Sequence, residues 1–547
     1  MSASLVAHGL AFERGPDVVL FGVSLGLVPG SRVGIVGPNG SGKSTLLGVL
    51  AGCLTPDAGT LERRPARATL GLLAQELDRR PGESVRALLH RLTGAAAADA
   101  ELQAAAAALG SSADPERYSE ALEAFLSLGV DTLDARIASV ALDLGLPEHL
   151  LDVEATGLSG GQSARVGLAA ILLSRFDITL LDEPTNDLDF DGLERLEAWV
   201  LAHEGALAVV SHDREFLART VSAVLELDER HQGAALYEGG WDAYLEERAT
   251  ARRHAEEAHA TYEARRATLL ERARRERQWA TSGVAKQKRR PKDNDTSQRK
   301  FRMERTEHLA QRARSTERAI GRLEQVDKPF ESWELRFSIE HAERSGSVVA
   351  RLERAVLGRG GFRVGPIDWE ISWAERVALT GPNGSGKSSL IDAVLGRLAL
   401  LSGSRYLGPS VVVGELGQRR TAFLDGPAGS LVERFCARTK MGSGDARTLL
   451  AKFGLNSAHV LRPAASLSPG ERTRAELALF QAEGVNFLVL DEPTNHLDLP
   501  AIEQLEEALE AYTGTLLLVT HDRRLLETVE LGATLDLAAL TRPSRGS

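Results

Sequence analysis

Cysteine is almost missing from this chain. Only Cys53 and Cys436 occur in 547 residues, and they have no clustered spacing. That argues against a disulfide framework, a thiolate zinc site and an iron–sulfur cluster, and it suits a reducing cytosol. Long apolar runs are absent too: no stretch of about eighteen apolar residues reads as a spanning helix. The opening MSASLVAHGL lacks the basic-then-apolar pattern of a secretory leader. Positive charge is in deficit, with a formal net charge of −11. General affinity for nucleic acid is therefore not expected, and any such binding must come from a local patch. The remaining composition is that of an ordinary globular protein, and the length implies two or more domains.

What is present is said twice. Residues 37–45 read GPNGSGKST and 381–389 read GPNGSGKSS; LSGGQ at 158–162 pairs with LSPGE at 467–471. LLDEPTNDLD at 180–189 pairs with VLDEPTNHLD at 489–498, and SHD at 211–213 with THD at 520–522. The first pair is offset by about 344 residues and the others by about 309, so whole domains are duplicated rather than a solenoid repeat. The first copy is longer between its Gly-rich loop and its LSGGQ, and the Ala-rich helical stretch 94–109 is expected to hold the extra residues. Short apolar runs (RVGIVG, RVALTG, ITLL, FLVL, ALAVV, TLLLV) alternate with helical patterns. They predict an α/β fold with buried parallel strands in each copy.

The repeated motifs carry phosphate chemistry. In GxxxxGK[ST] the glycines Gly37, Gly40, Gly42, Gly381, Gly384 and Gly386 let backbone N–H groups, with those of Asn39 and Asn383, curl around phosphate oxygens. The following helix adds its positive end. Lys43 and Lys387 should reach the β- and γ-phosphates, and Ser44 and Ser388, beside Thr45 and Ser389, should ligate Mg²⁺. Asp182 and Asp491 end apolar strands and suit the Mg²⁺ shell, while Glu183 and Glu492 are placed to polarise an attacking water. His212 and His521, each after a third strand, read as γ-phosphate sensors. Ser159-x-x-Gln162 and Ser468-x-x-Glu471 are capping boxes that open helices.

This set of motifs resembles the ATP-binding cassette superfamily, whose signature is LSGGQ, over roughly 1–235 and 348–545. The resemblance implies ATP and Mg²⁺ as ligands, and two cassettes closing face to face within one monomer. One site would join Lys43 to Ser468 and Gly470, and the other Lys387 to Ser159, Gly160 and Gly161. Gln75 and Gln418 would complete the Mg²⁺ shells, and Phe12 would stack on adenine; Val356 is at the equivalent place counted back from the second phosphate loop and cannot stack, unless Phe362 substitutes for it. Pro469 replaces the usual glycine. It fits the first helical position but removes one backbone donor from the Lys43 site.

From Trp241 to about Gln325 the composition changes to Arg, Glu and Ala. Residues 251–325 carry a net charge of about +10, leaving the remainder near −21. Ala255, Ala258, Tyr262 and Leu269 mark one sparse stripe, and Leu309, Ala313, Thr316, Ile320 and Leu323 a second with coiled-coil spacing, broken between them at Pro291. An antiparallel helical hairpin is expected, tipped by KQKRRPKDNDTSQRK at 286–300 with Trp279 and Phe301 on its flanks. Arginine and lysine there would release counterions from phosphates and stack on bases. The whole is similar to the ABC-F family. That similarity implies a cytoplasmic ATPase that binds the 70S ribosome and contacts rRNA and P-site tRNA through residues near 272–305. It leaves open translation factor or antibiotic-resistance factor. The alternative is a soluble ATPase subunit of a transporter with separate membrane subunits. The expected division is 1–240 (helical subdomain about 76–165), a basic linker 241–335, and 336–547.

Overall fold

The computed structural model describes residues 3–74, 77–108, 115–228, 233–288, 344–359, 362–417, 429–495 and 497–537, with backbone alone for 276–288, Arg359, Phe362 and Pro469. The chain forms two compact units, Met1–Tyr244 with Trp333–Ser547, and Leu245–Ser332.

The first unit contains both copies of the repeat. The first copy runs β1 (Ser4–Arg14), β2 (Asp17–Leu27), β3 (Arg32–Val36), α1 (Lys43–Leu50), β4 (Ala58–Arg64), β5 (Leu70–Leu73). It continues with α2 (Val85–Leu92), α3 (Ala95–Ala108), α4 (Pro115–Ser127), α5 (Leu133–Asp143) and α6 (Gly160–Leu173). It ends with β6 (Ile178–Asp182), α7 (Phe190–Ala202), β7 (Ala206–Val210), α8 (Arg214–Thr220), β8 (Ala223–Leu227) and β9 (Ala234–Glu238). The main sheet among the described residues has the order β5-β6-β7-β3-β8-β9, parallel except for β9. Strand β7 is buried at every position, as is β6 up to Leu181, because helices cover both faces of a parallel sheet. A smaller antiparallel sheet, β2-β1-β4, packs on α1 through Leu5, Leu10, Leu20 and Leu46.

The second copy repeats this plan with β10 (Val348–Arg359), β11 (Phe362–Ser372), β12 (Arg376–Thr380), β13 (Ser402–Leu407), β14 (Val413–Leu416), β15 (Phe487–Asp491), β16 (Thr515–Val519) and β17 (Ala533–Asp536). Its main sheet is β14-β15-β16-β12-β17, all parallel, and its small sheet is β11-β10-β13. Each fully buried Leu or Val on β15 and β16 contributes about 1.5–3 kcal/mol. These two α/β cassettes are the fold expected.

Two details differ from expectation. The extra length of the first cassette is a pair of packed helices, α3 and α4, so it extends beyond the Ala-rich stretch to Ser127. Ala98 on α3 packs with Leu128 and Phe176, which ties the insertion into the helical subdomain. The second difference concerns register. Phe12 lies opposite Leu20 as Leu357 lies opposite Val364, and Gly9 and Arg354 share positive φ values of 58° and 48°. The residue equivalent to Phe12 is therefore Leu357, not Val356. The extra residue of the first copy lies within β2, at the bulge between Val18 and Leu20: Phe12 and Leu20 are eight apart where Leu357 and Val364 are seven, which misleads a count back from the phosphate loop.

Helix α9 spans Gly240–Lys288. Its first turn belongs to the cassette unit: Trp241 and Tyr244 are buried, and Tyr244 donates to Glu226 Oε1 at 3.0 Å. In the second unit α9 carries surface pairs such as Arg252–Glu256 at 3.0 Å and Arg275–Glu271 at 3.2 Å, each one helical turn apart. Along it Ala255 and Ala258 are exposed, Tyr262 and Leu269 half-buried and Ala273 buried. Residues 289–300 of the basic tip, Phe301 and the second stripe lie outside the described residues. No helix among the described residues is long and apolar enough to cross a membrane.

Candidate active site

Each phosphate loop leaves a buried strand and enters a helix through left-handed glycines. Gly37, Gly40 and Gly42 have φ of 153°, 92° and 94°, and Gly381, Gly384 and Gly386 have 144°, 82° and 100°. A Cβ on Gly37 would stand 2.6 Å from the Leu227 carbonyl oxygen, so no other residue fits there. Lys43 Nζ donates to the carbonyls of Gly37 and Pro38 at 2.9 and 3.0 Å; Lys387 Nζ repeats this at Gly381 and Pro382, 2.7 and 3.3 Å. Burial lowers the proton affinity of both lysines, against the pull of Glu183 and Glu492. Thr45 and Ser389 sit half-buried in the first turns of the helices.

The carboxylates converge on these loops. Ser388 Oγ donates to Asp491 Oδ2 at 3.1 Å, and Ser44 hydrogen-bonds Asp182. Asp182 Oδ1 is buried without a hydrogen-bond partner. A hydroxyl and an oriented carboxylate form an all-oxygen donor set that fits a hard cation such as Mg²⁺. Glu183 and Glu492 follow, each held in the left-handed region at φ 50°, with backbone N–H groups donating to Val210 and Val519 at 2.9 and 2.8 Å. That conformation costs about 1–3 kcal/mol for a residue other than glycine, and it turns the carboxylates off the strand ends. Burial pushes Glu183 up to about 7 and Glu492 up to about 8.

His212 Nε2 lies 3.1 Å from Glu183 Oε1. His521 Nε2 lies 3.1 Å from Lys387 Nζ and 3.4 Å from Glu492 Oε1. Burial, with the nearby lysine, drives His212 down to about 3 and His521 to about 4, so both rings are neutral.

The signature residues open helices as capping boxes. Ser159 and Gln162 bond reciprocally, as do Ser468 and Glu471, with Pro469 in the first turn of the second helix. Gly160 and Gly161 line one cavity of about 490 Å³ with Asn383, Gly384, Ser388, Glu492 and His521. The structure thus brings the Lys387 loop to the 159–162 signature. At the Lys43 loop the cassettes meet where Asn39 N–H donates to Asp498 Oδ2 at 3.0 Å. Phe12 is half-buried against the β1–β2 core, and Gln75 and Gln418 lie outside the described residues.

Sequence reasoning missed the residues that bind one cassette to the other. Asp189 Oδ2 accepts from Asn383 N–H at 3.0 Å, the mirror of Asp498 and Asn39. Arg165 donates to the Asn383 carbonyl at 3.0 Å, and Asn383 Nδ2 to the Asp187 carbonyl at 2.6 Å. Arg214 pairs with Glu506, and Arg523 with Glu197 at 2.8 Å. Phe190 meets His521 edge-on at 5.1 Å. The signal was available: Asp189 and Asp498, Glu197 and Glu506, and Arg214 and Arg523 coincide under the repeat offset.

Two facing P-loop cassettes with these motifs define an ATP-binding cassette ATPase. Residues 20–186 and 364–495 match the ABC transporter family. Over 96% of its length the chain is 36% identical to the tylosin resistance ATP-binding protein TlrC of Streptomyces fradiae, covering 95% of that protein. It is 31% identical to the energy-dependent translational throttle protein EttA of Mycobacterium tuberculosis, over 94% of this chain and 88% of that one. Among solved structures it matches an RNase-L inhibitor with a TM-score of 0.56 at 19% identity, over 97% and 90% of the two chains, which is a likeness of fold. The chain belongs to the ATP-binding cassette family, as a twin-cassette ABC-F member, and it binds and hydrolyses ATP.

Proposed function

We propose that the protein is a cytoplasmic, monomeric translation or antibiotic-resistance factor. ATP closes its cassettes, and its basic linker (241–335, between cassettes 1–240 and 336–547) then contacts rRNA and P-site tRNA through residues near 272–305. The observation that carries this reading is a matched pair of cassettes within one chain, interrupted by a segment of about +10 charge in an otherwise acidic protein. End-to-end similarity to a tylosin resistance protein and to a translational throttle protein supports it.

In this reading Lys43 and Lys387 exchange their loop carbonyls for phosphate oxygens of ATP. The N-termini at Ser159–Gly161 and Ser468–Gly470 face the γ-phosphate from the opposite cassette. Ser44, Asp182, Ser388 and Asp491, with Gln75 and Gln418, would hold Mg²⁺, which when bound would neutralise charge on the phosphates. Glu183 and Glu492, raised by burial to near neutrality, accept a proton from the attacking water. His212 and His521 stay neutral and donate toward the γ-phosphate. Phe12 supports adenine in the first cassette; buried Leu357 cannot stack in the same way in the second.

The test is the double substitution Glu183→Gln with Glu492→Gln, followed by sedimentation with ATP. Association with 70S ribosomes and arrested translation are expected. Sedimentation with membranes instead would overturn the reading in favour of a transporter subunit.

A further inference from the structure

One structural feature of the interface recurs at both sites. Helix α7 is capped by Asp189, which also accepts from the Asn383 N–H of the opposite phosphate loop. Eight residues on, about 12 Å along the helix, Glu197 takes Arg523, the residue after His521-Asp522 of that same opposite cassette. The helix Leu499–Ala511 does the reverse. Its cap Asp498 accepts from Asn39, and eight residues on Glu506 takes both guanidinium nitrogens of Arg214, one at 3.0 Å. Arg214 follows His212-Asp213, and the aspartate caps its own short helix. Each ATP site is thereby gripped at two points, its phosphate loop and its histidine turn, by a single rigid helix of the other cassette.

We propose that Arg214 and Arg523 are positioning residues. Each anchors its own histidine turn to the far end of a helix from the other cassette, whose near end holds the phosphate loop. The helix sets the distance between loop and histidine, so each site reaches hydrolytic geometry only against its partner. Burial supports this. The Arg214 and Glu506 side chains are 5% and 9% exposed, a degree that charged groups tolerate only when paired. Because the partners belong to different cassettes, each pair forms only where one cassette meets the other's histidine turn, and it contributes nothing to the fold of either cassette alone. The two grips are unequal. Arg523 also lies 3.8 Å from Glu215, and Glu197 also takes Arg219 at 3.1 Å, whereas the positions equivalent to Glu215 and Arg219 are Arg524 and Thr528. The Arg523 grip is thus the more redundant.

The assignment of Glu183 and Glu492 as bases underlies one arm of the test. Arg214→Gln is measured in a Glu492→Gln background, where the Lys43 site turns over, and in a Glu183→Gln background, where the Lys387 site does. The expected result is a fall in kcat of about tenfold or more at the Lys43 site, with KM within about threefold, and a change under about threefold at the other. Arg523→Gln should show the mirror pattern with a smaller loss. Equal loss at both sites, or none, would overturn the proposal, since a purely structural ion pair acts on closure as a whole. If the Glu183→Gln, Glu492→Gln double variant still turned over ATP, the catalytic reading alone would fail. The second arm then decides: Arg214→Glu should abolish ATP-driven approach of labels on the two cassettes, and adding Glu506→Arg should restore it. Failure of the exchange, with both variants melting like the parent, would also overturn the proposal.

Discussion

Asp189→Asn separates two roles that one carboxylate performs. Oδ1 accepts from the Gly192 N–H at 3.1 Å and caps α7; Oδ2 accepts from the Asn383 N–H at 3.0 Å across the interface. Burial pushes Asp189 up, but the backbone donors of Asn383 and Gly192, with His521 and Arg165 nearby, outweigh it and hold the carboxyl below its ordinary value. The ionised form is the one bound, so this part of the closed-state stability is present above the ordinary carboxylate pKa and fades as pH falls through the depressed value. Asparagine caps a helix as well as aspartate, so the cassette itself should keep its stability within about 0.5 kcal/mol. Asparagine has a single acceptor oxygen, so with the cap kept its Nδ2 donor meets the Asn383 N–H donor and the trans bond is lost; a bond to a charged group is worth about 1.5–3 kcal/mol. Closure should therefore weaken by about 1.5–3 kcal/mol, roughly ten- to 150-fold, at that contact. Asp189→Ala removes the cap as well, adding about 1 kcal/mol of loss in the fold. Thermal melting reports the fold, and the distance between labels on the two cassettes at saturating ATP reports closure. Equal melting losses for Asn and Ala, or unchanged closure with Asn, would refute the division of roles.

The buried glutamates set the pH response. With Glu183 near 7 and Glu492 near 8, kcat/KM should climb through pH 7–8 as the bases lose their protons, and an acid limb near 4.5 would contradict it. Pro469→Gly restores a backbone donor to the Lys43 site and should raise turnover there by several-fold, read in the Glu492→Gln background; the Lys387 site should not change. Reversing the charge of Lys286, Lys288, Arg289 and Arg290 should leave ribosome-free ATPase activity largely intact, while ribosome association falls and its salt dependence becomes shallower, measured by sedimentation across a salt series.

The cassette chemistry could be read from sequence because each phosphate loop, Asp-Glu pair and histidine is a local pattern with a strand before it. Those strands are buried apolar runs in both copies, and the capping boxes at Ser159 and Ser468 formed as their spacing implied. The failures share one cause. A count back from the phosphate loop pairs Val356 with Phe12 because it crosses a bulge in β2 that the second copy lacks, whereas strand pairing picks out Leu357. The α3–α4 insertion was under-drawn because only its Ala-rich half is compositionally distinct. Arg214, Glu506, Arg523 and Glu197 look like surface charges until the second cassette is laid against the first. A periodicity argument stops at the edge of a single fold, and these residues are paired only by the pseudo-symmetry that relates two folds. That pseudo-symmetry also shows where the two sites must part company. Phe190 against His521 becomes Leu499, Asp187 becomes His496, and Gly160 becomes Pro469. All three differences lie in segments that one cassette presents to the other's nucleotide site. Functional asymmetry should therefore be sought in what each cassette lends its partner, and an exchange of Phe190 with Leu499 should move it from one site to the other.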